Sequence, residues 1–429
     1  MSPGDRLIHD IRFQEVKQSL AWTVLGGLVP DRNAYTGEAK WAEFRVLFKK
    51  FMIEGDYMDT DERSSLDAMM KTLCEYCVSI TSALVSTENN IAPGLYVENF
   101  VQEGVAPLVI LDDGNRSLLT NTCIVIAHFE PTQVIIVGDT KQLRPVVVGP
   151  TPLTGFLPEL EVSTMSYFLD AGWPCATIYI QRRSRAGVMD IPVHRFYHAK
   201  VVNGPHANSD AVFYYTKKVI KIVDAEFRDR KVQQFPTMFF EVVDFEAQVD
   251  PITKSRFNLR IASVVMNMVE LLVLNGIPSR DQGIVTPYMA QVMVYKYAAN
   301  QLHLAYPTKG YNQLLIGTAD SMEGEERPVM HTDTVVTREL GFVDDSGRML
   351  LMITRGKHVS MIYGNTAELY QKTRRESDLI WLFNTAKSET RRICRQVPAD
   401  SKYQHHRFIQ NRTIKGRPKE RAYPADNKH

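Results

Sequence analysis

Two stretches of this sequence place carboxylates where chemistry collects in an α/β protein. Gln133 to Val137 reads as a buried, mostly apolar run that delivers Gly138-Asp139, followed by Gln142, Leu143 and Pro145. Pro107 to Leu111 is a second apolar run, ending in Asp112-Asp113. Short continuous apolar runs read as strands of a parallel sheet covered on both faces, and ligands gather beyond the carboxyl ends of such strands. A carboxylate and an amide at a strand's end can sense a terminal phosphate through hydrogen bonds. An acid such as Asp112 suits a hard cation that arrives with a triphosphate. The plainer readings are a strand followed by a polar turn, and two acids in a loop. Further on, Arg182, Arg183 and Arg185 cluster, which by composition alone is a solvated basic turn.

The elements that must position these groups follow an α/β pattern. Residues 1–75 read mainly as helix and loop, followed by a strand-like stretch from Val78 to Val85 and then the two strands that end in acids. After about residue 155 the pattern restarts. Met238–Val243, Gly283–Thr286, Leu314–Thr318, Met349–Ile353 and Met361–Tyr363 are short apolar runs. Ser255 is placed to cap a helix carrying Ile261, Val264, Val265, Met268 and Leu272 on one face. The expected organisation is a first parallel-sheet unit over 1–155, a second over 156–385, and a flexible basic tail over 386–429. That tail holds Lys402, Arg407, Arg412, Lys415, Arg417, Lys419 and Arg421.

Composition bounds the answer without deciding it. With 429 residues there is room for two ordinary domains. Apolar residues are 44% and charged residues 23%, as in soluble globular proteins, and 50 Lys plus Arg balance 49 Asp plus Glu. That balance neither demands nor excludes a nucleic-acid partner. No apolar run reaches the roughly 18 residues of a membrane span, and the N-terminus lacks a secretory pattern. Five cysteines argue against a disulfide framework. Cys74 and Cys77 share a helical stripe with Leu66, Met69, Met70 and Leu73, so the CxxC reads as packing.

Six segments, taken in order, resemble superfamily 1 helicases of the up-frameshift type. VIIVGDTKQLRPVV (Val134–Val147) resembles the motif GDxxQLxP, and VILDDGNR (Val109–Arg116) stands where the family has DEAxQ. YIQRRSRAGVMDIPVHRFYHAKVVNG (Tyr179–Gly204) resembles QYRMHPxI…FY. GIVTPYMAQV (Gly283–Val292) resembles GIITPYxxQ. LLIGTADSMEGEERPVM (Leu314–Met330) resembles TVDSxQGxE, and GRMLLMITRGKHVSMIYGN (Gly347–Asn365) resembles RxNVALTRAKxxLIIVGN. The resemblance implies two RecA-like parallel-sheet domains of the P-loop NTPase type that close on ATP and Mg²⁺ and move along single-stranded RNA or DNA. Carried over residue by residue, Asp112 would hold Mg²⁺, Asp113 would orient water and Gln142 would sense the γ-phosphate. Arg183 and Arg355 would be arginine fingers, a device worth a factor of about 10³ or more in turnover. Gly138, Asp139, Gln181, Gly324 and Glu326 would line the nucleotide, and Thr286, Tyr288 and Thr318 the nucleic acid. Asp113 replaces the family's Glu, Arg116 its Gln, and Glu323 the Gln of the fifth segment.

One part of the family's equipment has no counterpart in these 429 residues: the glycine-rich GxxGxGK[ST] loop that cradles the β-phosphate with backbone N–H groups. Gly26-Gly27 and Gly37 lack a following GK[ST]. The expectation is therefore a truncated or degenerate helicase-like protein with weak or no ATPase by itself. The rival reading is a non-catalytic module that binds nucleic acid or protein, with the basic tail tracking phosphates. The remaining expectations are an intracellular (cytoplasmic or nuclear) monomer with no membrane partner.

Overall fold

The computed structural model describes residues 41–409 apart from 80, 82, 92–93, 101–106, 148–156, 228–234, 244–245, 337–338, 367–368, 370–375 and 389–390. The chain divides into two compact units. Met1–Gly138 with Pro145–Ala171 form the first; Asp139–Arg144 with Gly172–His429 form the second. The six residues that follow Gly138 thus fold with the second unit, not with the strand that delivers them.

In the first unit, helices α1 (Ala42–Glu54) and α2 (Thr60–Ser79) close on a small core of Trp41, Phe44, Met58, Leu66, Met70 and Leu73. Cys74 and Cys77 pack beside it, and burial pushes the Cys74 thiol up to about 11, so it stays protonated. The strand expected over Val78–Val85 is not formed among the described residues of that range. Val78 and Ser79 end α2, whose helical apolar stripe outruns the short β-branched stretch. Strands β1 (Leu108–Leu111) and β2 (Gln133–Ile136) pair in parallel, Leu108 opposite Gln133, with α3 (Leu119–Phe129) as the crossover. Helix α4 (Thr164–Asp170) is capped by Ser163, whose hydroxyl accepts from the Ser166 N–H.

The second unit begins with helices α5 (Asp190–Phe196) and α6 (Asp210–Phe227). Its sheet holds β3 (Thr237–Val242), β4 (Gln282–Thr286), β5 (Leu315–Thr318), β6 (Arg327–Asp333), β7 (Gly356–Gly364) and β8 (Cys394–Val397). The order is β8-β3-β7-β6-β4-β5, parallel throughout. Side chains alternate between faces. In β3, Met238 and Phe240 join the core under α7 (Leu259–Leu274) and α8 (Met289–Ala305), while Phe239 joins the core on the other face. That second core is built with α9 (Ser346–Ile353) and α10 (Asp378–Lys387). Each large apolar side chain so buried contributes roughly 1.5–3 kcal/mol.

Three expectations need correction. Met349–Ile353 is helix, not strand: Asp345 caps α9 by accepting from the Arg348 N–H at 2.6 Å, and the helix is buried on every side, so its apolar run carries no period. Asn258, not Ser255, caps α7, accepting from the Arg260 and Ile261 N–H groups; Ser255 instead accepts from the Ala290 N–H at the start of α8. The region read as a tail from 386 is folded through Ile409 in its described residues, and Cys394–Val397 is an edge strand of the main sheet. Residues 410–429, with the remaining basic positions, lie outside the described residues.

The inner face of β6 carries two ionisable groups within the core. His331 lies between the Tyr363 hydroxyl (3.0 Å) and Gln282 Oε1 (3.2 Å), and burial holds its pKa down to about 3. Asp333 accepts from Gln291 Nε2, the Tyr295 hydroxyl and the Val335 N–H, yet burial still pushes it up to about 6 from 3.8. A folded-state pKa above the unfolded value means the native state binds the extra proton, so this carboxyl's contribution falls as pH rises from about 4 to about 6. Asn at position 333 removes that dependence. We therefore expect the stability of Asp333→Asn relative to wild type to drop by on the order of 2 kcal/mol on going from pH 7 to pH 4. Denaturant melts across that range are the check.

Candidate functional site

The groups singled out in the sequence fall into three places. In the first unit, Asp112 and Asp113 are exposed just past the end of β1, and Asp113 takes a left-handed backbone (φ +52°), folding the turn back toward β2. The Gly114 N–H donates to the Val137 carbonyl at 2.8 Å, and a Cβ on Gly138 would stand 2.5 Å from Asn115 Oδ1. Gly138 thus sits in close contact with Asn115 of the neighbouring turn. Among the described residues, no group of three or more His, Cys, Asp or Glu could hold a metal ion. Asp112 is a carboxylate fit only for a cation that brings its other oxygen ligands with it.

The second place lies at the starts of β6 and β7, where side chains of the second unit converge. Arg355 immediately precedes β7 and is 2% exposed. Its Nε donates to the Leu351 carbonyl at 3.0 Å, and one terminal nitrogen reaches Gln142 Oε1 at 3.1 Å. Burial and the charge of nearby Arg183 lower its pKa to about 10, with Glu323 and Glu326 opposing, so it remains a cation at neutral pH. Glu326, one residue before β6, bridges two cations: Arg183 Nε at 2.7 Å and Lys357 Nζ at 2.5 Å. Partial burial would raise its pKa, but Lys357 and Arg183 outweigh that and hold it below the usual carboxylate range. Gln142 donates its Nε2 to Asp139 at 2.9 Å, and Tyr197 donates its hydroxyl to the same Asp139 oxygen. The segment is pinned by Leu143, which is 3% exposed among Val285, Ala319, Met322, Met330, Leu351 and Met352.

Gln181 is occupied by its own turn. Its Oε1 accepts from the Arg183 and Ser184 N–H groups, and its Nε2 donates to the Ser184 carbonyl and Asn203. Ser184 Oγ then donates to the Gly356 carbonyl at 2.7 Å, tying the Arg183 turn to the start of β7. Gln181 therefore acts here as a scaffold for Arg183. Gly324 takes φ +74° in an exposed turn that leads into Glu326.

The third place is the opposite end of the sheet. Thr286 is wholly buried and Tyr288 is 5% exposed. The Tyr288 hydroxyl accepts from the Phe342 N–H at 3.1 Å, its ring stacks on Phe342 at 5.2 Å, and a Cβ on Gly341 would collide with its oxygen at 2.1 Å. Both side chains are therefore covered in this conformation. Thr318 is half-buried, with its hydroxyl on Ser321 Oγ at 3.2 Å.

Lys357, Tyr197 and Ser184 were not marked for a role. Lys357 and Tyr197 were visible as motif matches, yet nothing in their type or spacing says which carboxylate each would meet.

Residues 160–367 match the AAA domain family model (AAA_12). Over 259 residues the chain is 24% identical to the 5'-3' DNA helicase ZGRF1 of Mus musculus, covering 60% of this chain and 13% of that protein. It is 25% identical over 266 residues to an uncharacterized ATP-dependent helicase of Methanocaldococcus jannaschii, covering 62% and 36%. It is 24% identical over 262 residues to the regulator of nonsense transcripts 1 homolog of Neurospora crassa, covering 60% and 22%. The chain thus spans well under half the length of each. A solved arterivirus nonstructural protein 10 (helicase) aligns with TM-score 0.28 at 14% identity, over 62% of this chain and 41% of that one. Residues 160–367 thus match that domain family, and about 60% of the chain is similar to proteins named as helicases or as regulator of nonsense transcripts 1 homologs.

Leu143 fixes where Gln142 sits, so its loss should be felt in the sheet. Leu143→Ala is expected to destabilise the second unit by about 2–5 kcal/mol. The readout is reduced hydrogen-exchange protection of the β6 and β7 amides at rising denaturant.

Proposed function

We propose that the second unit is the phosphate-sensing half of a nucleic-acid-stimulated nucleoside triphosphatase, with Arg183, Lys357, Arg355 and Gln142 answering to the terminal phosphate. The observation that carries this reading is the Glu326 bridge. An acid held by Arg183 and Lys357, with Arg355 close enough to feel the same charges, shows cations assembled where an anion is the natural partner. A γ-phosphate has the charge and the acceptor oxygens to take those donors over. ATP with Mg²⁺ would supply the phosphoryl group and its neutralising cation. The part played by this chain is to aim the guanidiniums and the amide: Gln181 and Ser184 fix the Arg183 turn, and α9 fixes Arg355. By similarity to relatives whose names declare helicases, the polymer is single-stranded RNA or DNA, reached at the end of the sheet near Thr318.

Turnover by the chain alone is expected to be weak or absent, because its sequence has no glycine-rich loop to position the β-phosphate. Binding tests the reading without turnover. A nonhydrolysable ATP analogue should bind more tightly than ADP in calorimetry, and Arg355→Ala should erase at least 10-fold of any such preference. Equal affinity for triphosphate and diphosphate in the wild-type chain refutes it. Vigorous nucleic-acid-stimulated ATPase, lost in Arg355→Ala, would keep the phosphate-sensing role and overturn the weak-turnover part.

The missing glycine-rich loop favours one alternative, a nucleic-acid-binding module without catalysis. Filter binding to single-stranded RNA at rising salt separates the two. Affinity that falls steeply with salt, in a chain indifferent to the γ-phosphate, selects the module.

A further inference from the structure

Tyr197 has no part in the reading above, yet it stands at the base of its geometry. We propose that Tyr197 is a positioning residue for the phosphate-sensing pair: it holds Asp139, which sets the orientation of the Gln142 amide, which in turn presents its oxygen to Arg355. The inference rests on the phosphate-sensing reading for its purpose, and on hydrogen-bond logic for its mechanism.

A carboxylate only accepts and a guanidinium only donates. The Gln142 side chain lies between one of each. With Asp139 fixed, the amide must turn its Nε2 to the carboxylate (2.9 Å) and its Oε1 to Arg355 (3.1 Å). Free the carboxylate, and the amide can rotate by half a turn to set an NH₂ against the guanidinium, which breaks the pair. Asp139 already accepts from the Lys141 N–H through Oδ1 at 2.9 Å, so its other oxygen is the one that orients Gln142. Tyr197 donates to that oxygen. Burial and the adjacent carboxylate hold the phenol far above its usual range, so it remains a donor at any ordinary pH.

The post that carries Tyr197 is stiff. Ile191, Pro192 and Phe196 of α5 are buried, and Arg195 pairs with Asp378 of α10 at 2.7 Å. Immediately after Tyr197 the chain turns through two left-handed non-glycine residues, His198 (φ +50°) and Ala199 (φ +58°). That conformation is costly for residues with a Cβ and persists only where the surroundings impose it. The turn is closed by Ala199 N–H to the Val193 carbonyl at 3.1 Å and Lys200 N–H to the Tyr197 carbonyl at 3.0 Å. On the other side, a Cβ at Gly347 would lie 2.3 Å from the Gln142 carbonyl oxygen. The 139–144 segment is therefore clasped between α9 and the end of α5, with Tyr197 as its polar contact to the latter.

The test compares the full-length chain with Tyr197→Phe and Asp139→Ala by hydrogen exchange and nucleotide titration. In Tyr197→Phe, amides of 139–144 should exchange at least 10-fold faster while those of α5 hold, which separates lost positioning from failed folding. The same variant should lose at least 10-fold of the preference for a nonhydrolysable ATP analogue over ADP, with ADP affinity changed less than twofold. Asp139→Ala should reproduce both effects, and the double variant should add little. Unchanged exchange at 139–144 in Tyr197→Phe overturns the proposal. Faster exchange in a wild-type background that shows no triphosphate preference leaves Tyr197 as the clasp and refutes the phosphate-sensing reading instead.

Discussion

The second unit is organised around a buried guanidinium. An unanswered charge inside a protein costs several kcal/mol, so Arg355 at 2% exposure forces its neighbours into place. It follows α9 directly and folds back to donate to Leu351, one of the carbonyls a helix end leaves without an intrahelical partner. Thr354 and Gln142 take further N–H groups. Gln142 can do so only because Leu143 is sunk in the core beside it. The tie between the 139–144 segment and this unit, rather than the strand it leaves, follows from the same need.

The arrangement also explains why a carboxylate is tolerated among the cations. Burial lowers the pKa of Arg355, and repulsion from Arg183 lowers it further. Glu326 supplies charge between Arg183 and Lys357, and Glu323 raises Arg355's affinity for its proton. The substitution of Glu323 for the amide expected from the resemblance therefore has an electrostatic meaning: it adds negative charge near a cation that is short of partners.

Much of this was legible in the residues. The runs at Gly283–Thr286, Leu314–Thr318 and Met361–Tyr363 lie in strands because buried parallel strands are apolar without alternation. The acids after Leu111 and Val137 stand at strand ends as expected. The same rule misled at Met349–Ile353, since a helix buried all round shows the same unbroken run. Ser255 and Asn258 are both good caps in a stretch that offers two helices, and only tertiary contact assigns Asn258 to α7 and Ser255 to α8. Tyr288 lies in the segment that matches best, yet its ring is covered by Phe342, some fifty positions further along the chain. Distant cover of that kind leaves no local trace. Nor could the basic character of the last forty residues reveal that Cys394–Val397 completes a sheet.

That last strand has a consequence for biogenesis. β8 pairs with β3, whose residues were made far earlier. Behind it, Gln404 donates to the carbonyls of Val243, Val397 and Pro398, while Arg260 and Asn267 grip the backbone at Tyr403–His405. On the ribosome, the flank of β3 must wait with its backbone groups unsatisfied until Cys394–Val397 has emerged. Non-local parallel pairing is slow, and waiting edges invite wrong partners. A nascent chain stalled shortly before Cys394 would be a client for holdase chaperones in a way that the finished protein is not.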